Sequence, residues 1–114
     1  MTKDKPLVFL VMSFDEKYFN ILNNIQAIAG TRGVEAIRAD EAKGVIKKIR
    51  PEILSKISGA DLVIAEISSG SANVLYEVGW AHAMGKPTML IAEREAIIPF
   101  DINDYMVEKY DGTL

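Results

Sequence analysis

One carboxylate, Glu77, stands in an otherwise apolar stretch of the sequence. Residues Val74–Met84 read Val-Leu-Tyr-Glu-Val-Gly-Trp-Ala-His-Ala-Met, in which only Glu77 and His82 are strongly polar. A helix of this composition is buried on more than one side, and a carboxylate there is costly to desolvate unless it is paired or used. Glu77 is therefore the candidate catalytic residue. The alternative is a structural salt bridge to an Arg or Lys of a neighbouring element.

A polar turn precedes this helix and is suited to an anion or a sugar. Its candidate binding residues are Ser68, Ser69, Ser71 and Asn73. A helix N-terminus offers unpaired backbone N–H groups and a partial positive charge, and Asn73 lies one turn before Glu77 on the same helix face. Simple N-capping is the alternative, because Ser and Asn are preferred N-caps. The turn lacks the glycine spacing and lysine of a P-loop, and no Gly-rich dinucleotide fingerprint follows the first strand.

The elements that must position these residues follow from the hydrophobic pattern. The pattern predicts strands over 7–12, 33–38, 61–67 and 88–92, a last strand within 105–110, and helices over about 18–30, 46–57 and 73–84. Pro51 either kinks the second helix or starts a fresh one there. Gly85, with Pro87 beyond it, closes the third helix. Residues 94–104 are ambiguous.

Strands that alternate with helices are typical of an α/β fold with a parallel sheet between two helical layers. We predict a flavodoxin- or Rossmann-like three-layer sandwich, formed by one domain over residues 1–114, with strand order 2-1-3-4-5. Ligands of such sheets bind beyond the carboxyl ends of the strands, where the strand order reverses. That crevice lies between the first and third strands, where Ser13, Phe14 and the segment from Glu66 to Ser71 are expected. Asp40, after the second strand, is placed to reach a ribose, although helix capping explains it as well.

Composition excludes several classes of function. The chain has 114 residues, no cysteine and a formal net charge of −3. The lack of cysteine excludes disulfides, thiolate catalysis and cysteine-ligated zinc, and it fits a reducing, cytoplasmic compartment. The basic cluster from Lys43 to Arg50 is flanked by acidic residues, so we interpret it as a solvated helix face and predict no nucleic-acid partner. The first apolar run is too short to span a membrane, and no membrane partner, cofactor or metal is predicted.

Three stretches of the sequence carry a resemblance to a known family. They are Ala-Asp-Leu-Val-Ile-Ala-Glu at 60–66, Asn-Val-Leu-Tyr-Glu-Val-Gly at 73–79 and Ala-His-Ala-Met-Gly-Lys-Pro at 81–87. The chain resembles the nucleoside 2-deoxyribosyltransferase superfamily, and more narrowly its branch described as TIR-like or predicted nucleotide-binding domains. The segments 9–14, 38–41 and 98–102 are similar to that branch too, so the resemblance covers most of the chain.

The resemblance implies a chemistry for Glu77. In the transferases the matching Glu attacks the anomeric carbon and forms a covalent glycosyl-enzyme, and NAD-cleaving TIR domains use a Glu early in the corresponding helix. Glu77 would be the nucleophile, or would stabilise an oxocarbenium-like transition state. Ser13, Phe14 and the Ser68–Ser71 turn would hold sugar or phosphate. The transferases carry an acid shortly before the nucleophile. In this chain serines occupy the position of that acid, and Glu66 is the candidate to replace it. Hydrolysis or ligand binding is therefore favoured over base exchange.

Two functions from different classes follow. The first is an enzyme that cleaves the N-glycosidic bond of a nucleotide or nucleoside, with NAD among its candidate substrates. The second is a non-catalytic nucleotide-binding or self-associating signalling module. The small residues Gly79, Ala81 and Ala83 allow another backbone to approach the third helix. We therefore predict a homodimer through helix 73–84 for either function.

Overall fold

The computed structural model describes residues 5–38, 51–98 and 107–111. The elements in these ranges are β1 (Leu7–Val11), a 3₁₀ turn (Glu16–Tyr18), α1 (Phe19–Thr31), β2 (Glu35–Arg38), α2 (Pro51–Gly59), β3 (Leu62–Glu66), α3 (Ala72–Ala83), β4 (Thr88–Glu93) and β5 (Val107–Tyr110). Asp40, the basic cluster and the first half of the predicted second helix lie outside the described residues.

The five strands form one parallel sheet in the order β2-β1-β3-β4-β5, which confirms the predicted fold class and topology. β1 lies between β2 and β3, and four of its five residues are buried, as its continuous apolar run predicts. Strand order reverses at β1. The ends of β1 and β3 therefore flank a crevice, and Leu10 of β1 pairs in register with Arg38 on one side and Ile64 on the other.

Side chains that alternate along β1 supply the two cores of the molecule. Phe9 and Val11 belong to the core under α2 and α3, whereas Val8 and Leu10 belong to the core on the α1 face. Fully burying an apolar side chain of this size contributes about 1.5–3 kcal/mol. The two cores therefore fix both faces of the sheet, and with them the position of the strand ends.

Helix α3 begins where the polar turn ends. Gly70 has a φ of 69°, a left-handed conformation that glycine adopts without strain and that directs the chain from the end of β3 into the helix. Ser71 is the N-cap, and its hydroxyl accepts a hydrogen bond from the backbone N–H of Val74 at 3.4 Å. At the other end Gly85 has a φ of 72°, as its predicted closing role requires. The predicted helix is thus confirmed to within one residue at each end.

One face of α3 packs into the core and another remains open. Val74, Val78 and Ala81 are buried, and the Trp80 indole N–H lies 3.2 Å from both the Leu54 carbonyl and the Ser58 hydroxyl of α2. The exposed apolar and small residues of α3 and its C-cap are Ala72, Tyr76, Gly79, Ala83 and Met84. Within the described ranges, no helix combines the length and hydropathy needed to cross a lipid bilayer.

Candidate active site at the end of β1

A cleft of about 100 Å³ opens where the strand order reverses. It is lined by Leu10, Met12, Ser13, Phe14, Arg38, Ile53, Ser71, Asn73, Val74 and Glu77. This is the place that the sheet topology predicts for a ligand, at the carboxyl ends of the strands. Five of the predicted site residues meet in this cleft: Ser13, Phe14, Ser71, Asn73 and Glu77.

Glu77 is a half-buried carboxylate on the wall formed by α3. Burial raises the pKa of Glu77 from 4.5 to about 7, because the charged form loses hydration. Within the described part of the chain, no ion pair involves Glu77 and no side chain donates a hydrogen bond to it. The sequence-based alternative, a structural salt bridge from Glu77, therefore finds no partner among these residues. A carboxylate poised near neutral pH in a cleft is typical of acid, base or nucleophilic chemistry.

Asn73 and Ser71 form the entrance to the cleft on the same helix. Asn73 is exposed one turn before Glu77, and the shared helix face brings both side chains to the cleft. The Ser69 hydroxyl accepts a hydrogen bond from the Ser71 backbone N–H at 3.1 Å, so Ser69 stabilises the turn and does not line the cleft. The first turn of α3 therefore contributes to the same cleft as the carboxylate.

Arg38 lines the cleft from β2, and the sequence-based site did not include it. Its side chain is only 4% exposed, and its guanidinium carbon lies 5.2 Å from the centre of the Phe14 ring and 5.5 Å from that of Phe19. Nη1 donates a hydrogen bond to the Ser13 carbonyl at 3.2 Å. The sequence held one usable signal, a charged residue at the carboxyl end of a strand beside β1. Its burial between two aromatic rings depends on α1 packing against that strand.

Glu66 and Ser68 lie in a different hydrogen-bond network, outside the cleft. The Glu66 carboxylate is 2% exposed and accepts hydrogen bonds from the Ser68 backbone N–H at 2.9 Å, the Ser68 hydroxyl at 2.6 Å and the Tyr110 hydroxyl at 2.6 Å. The Ser68 hydroxyl also accepts a hydrogen bond from the Glu93 backbone N–H at 2.7 Å. This network joins the ends of β3, β4 and β5. Contact of Glu66, Ser68 or Ser69 with substrate stays a prediction.

A second depression, of about 370 Å³, lies beside this network. Its walls carry two ion pairs, Lys17–Glu93 at 3.9 Å and Arg94–Asp111 at 2.8 Å. Both pairs are at least partly exposed, so each contributes little to stability, and Glu95 adds a further negative charge to the lining. Across the described ranges, no group of three histidine or acidic side chains is arranged to hold a metal ion.

Solved structures with similar folds include two proteins of known function. The first is a TIR domain in the activated Roq1 resistosome that recognises the pathogen effector XopQ, with a TM-score of 0.62, 12% identity and coverage of 79% of this chain. This chain spans 58% of that structure's length. The second is the CMP N-glycosidase BcmB of Clostridium botulinum, with a TM-score of 0.66, 23% identity and coverage of 92% of this chain and 88% of BcmB. At these identities the similarity shows the fold. No protein-family model and no curated relative matches the chain.

Proposed function

We propose that this chain cleaves the N-glycosidic bond of a nucleotide or nucleoside, with Glu77 acting at the anomeric carbon. The observation that carries the proposal is a half-buried carboxylate at the strand-order reversal, with a pKa raised to about 7 and no cation paired with it among the described residues. The similarity of fold to a CMP N-glycosidase supports the same reaction class. Ser13, Phe14, Ser71 and Asn73 would contact the substrate, since they line the same cleft.

The reaction needs a carboxylate that faces the sugar. As a nucleophile, ionised Glu77 forms an ester with the anomeric carbon while the C–N bond breaks, and the base leaves with that electron pair and takes up a proton. Water then attacks the same carbon, the ester opens, and the carboxylate is regenerated with a hydroxyl on the sugar. As an electrostatic stabiliser, the same carboxylate faces an oxocarbenium-like centre that water traps directly. Both routes require Glu77 in its ionised form.

The proposal is tested with Glu77→Gln, which keeps the shape of the side chain and removes its charge. Purified protein is incubated with nucleosides, their 5′-monophosphates, deoxynucleotides and NAD, and free base is measured by chromatography. We expect the variant to lose at least about 10³-fold in base release. His82→Gln, on the same helix but outside the cleft lining, is the matched control. An unchanged rate in Glu77→Gln would contradict the mechanism.

A second candidate function is a non-catalytic nucleotide-binding module that self-associates. It is favoured by the open face of α3, where Tyr76 is 58% and Met84 46% exposed and Gly79 has no neighbour within 4 Å of an added Cβ. A second copy of this helix could approach closely there, and the proposed homodimer uses this face in either function.

We expect Gly79→Glu to shift the solution mass, measured by light scattering, from dimer to monomer. A monomeric parent protein would contradict the dimer, and absence of base release from every substrate would favour the binding module.

A further inference from the structure

We propose that Trp80 is a positioning residue, whose indole hydrogen bonds to α2 fix the spacing of the two helices beside the cleft and so hold Glu77 in place. The inference rests on the proposed function, because it concerns how the carboxylate of that reaction is held. Three observations carry it: the two acceptors of the indole N–H, the place of those acceptors next to the cleft, and a separate anchor at the far end of α2.

Helices α2 and α3 both line the cleft and share one core. Ile53 lies in the lining on α2, and Val74 and Glu77 lie in it on α3. Ile53, Val74 and Val78 belong to the same buried cluster. The hydrophobic effect drives the two helices together, but it is non-directional. A hydrogen bond between them adds a defined distance and angle.

The Trp80 indole N–H makes such a directional contact. Nε1 lies 3.2 Å from the Leu54 carbonyl oxygen and 3.2 Å from the Ser58 hydroxyl, both on α2. The Ser58 hydroxyl donates in turn to the Leu54 carbonyl at 3.0 Å, so its lone pairs remain to accept from the indole. The N–H is thus shared between two acceptors that also bond to each other, and this arrangement holds the ring at one point on α2.

These contacts lie within one helical turn of the cleft on both helices. Leu54 follows Ile53 directly, and Trp80 follows Glu77 by three residues, a rise of about 4.5 Å along the helix axis. A helix is rigid over one turn, so a displacement at the indole moves the cleft walls with it. A catalytic group misplaced by about 1 Å can lower a rate by about 10²-fold.

A separate contact holds the other end of α2. Lys86 Nζ donates a hydrogen bond at 3.0 Å to the carbonyl of Ala60, the residue that follows the end of α2 at Gly59. Without the indole N–H, α2 keeps this anchor and is free to pivot about it, and the end that carries Ile53 moves most. The cleft then opens and water reaches Glu77, so the burial that raises the pKa of Glu77 is reduced.

The test removes the indole N–H and follows base release from the substrate that the parent protein cleaves fastest. Trp80→Phe keeps an aromatic ring at this position, whereas Ser58→Ala keeps the indole and removes one of its two acceptors. Ile21→Val trims the core on the opposite face of the sheet and is the control for loss of stability alone. We expect kcat/KM to fall about 10- to 100-fold in Trp80→Phe and less in Ser58→Ala, and to stay within about twofold in Ile21→Val.

A second measurement needs no turnover and so separates this inference from the proposed reaction. The pKa of Glu77 is measured from the carbon NMR shift of its carboxyl group, which is assigned by its absence in Glu77→Gln. We expect the pKa of Glu77 to fall from about 7 towards 4.5 in Trp80→Phe and to stay at about 7 in Ile21→Val. If no substrate releases base but this pKa falls in Trp80→Phe, the reaction is wrong and this inference stands.

Circular dichroism and urea denaturation establish whether each variant is folded at the assay temperature. If Trp80→Phe does not fold, Ser58→Ala decides by the same two measurements. An unchanged pKa of Glu77 in the folded variant, an unchanged kcat/KM in a protein that releases base, or an equal loss in Ile21→Val would overturn the inference.

Discussion

Glu77 and Glu66 are two carboxylates at the same end of the molecule with opposite surroundings. Glu66, at the end of β3, is 2% exposed and accepts three hydrogen bonds within 2.9 Å. Glu77, on α3, is half-buried in a cleft and, among the described residues, has neither a donor nor a cation to stabilise its charge. A buried charge that is fully hydrogen-bonded is costly to disturb, whereas one left without partners is available for chemistry. The contrast supports the proposal that Glu77 is the reactive group.

The largest effect on stability is expected at Glu66. Glu66→Gln replaces one acceptor oxygen with an NH₂ donor that faces the Tyr110 hydroxyl and Ser68, and it removes the charge that those donors solvate. We expect the free energy of unfolding to fall by about 3 kcal/mol, measured by urea denaturation at neutral pH.

Tyr110→Phe is the graded control for this change, because it removes a single donor. Burial, together with the hydrogen bond to Glu66, raises the pKa of Tyr110, so its hydroxyl remains a donor at neutral pH. The expected loss is about 1–2 kcal/mol. A loss of base release in folded Glu66→Gln protein would instead support the predicted contact between Glu66 and substrate, and would weaken the contrast with Glu77.

Glu77→Gln should raise the free energy of unfolding, and it should do so only at pH values above 4.5. Below pH 4.5 the carboxyl is protonated in the folded and the unfolded chain, so the variant and the parent differ little. As the pH rises from 4.5 to about 7, the unfolded chain ionises first and the folded protein retains its proton. Relative to the variant, the parent therefore loses up to about 3 kcal/mol of unfolding free energy by pH 8.

Urea titrations of the parent protein and of Glu77→Gln, carried out at each pH from pH 4 to pH 8, measure this difference. The contributions of the other carboxylates are the same in both proteins and therefore cancel. A stability difference that does not change with pH would show that Glu77 titrates at its ordinary pKa, and so would remove the main distinction between the two carboxylates. If Glu77 reacts in its ionised form, as proposed, base release should rise with pH through a midpoint of about 7 and level off at higher pH.

The sequence by itself determined the elements and their order. The continuous apolar run of β1 and the alternation of strands with helices predicted the sheet order 2-1-3-4-5, which the structure confirms. Helical spacing also placed Asn73 and Glu77 on one face at the reversal of strand order, and both line the cleft. These features depend on local periodicity and on connection rules for parallel sheets, both of which can be inferred from one chain.

Only the tertiary structure decided which charged residues share a site. Glu66 is the last residue of the strand that leads to Glu77, yet its carboxylate meets Tyr110, 44 residues away along the chain. Arg38 lines the cleft because Phe14 and Phe19, from the segment after β1, pack around its guanidinium group. The physical reason is that alternation along a strand fixes the face on which a side chain lies, whereas its partners on that face come from elements far away along the chain. The spacing of residues along the sequence does not reveal these long-range contacts.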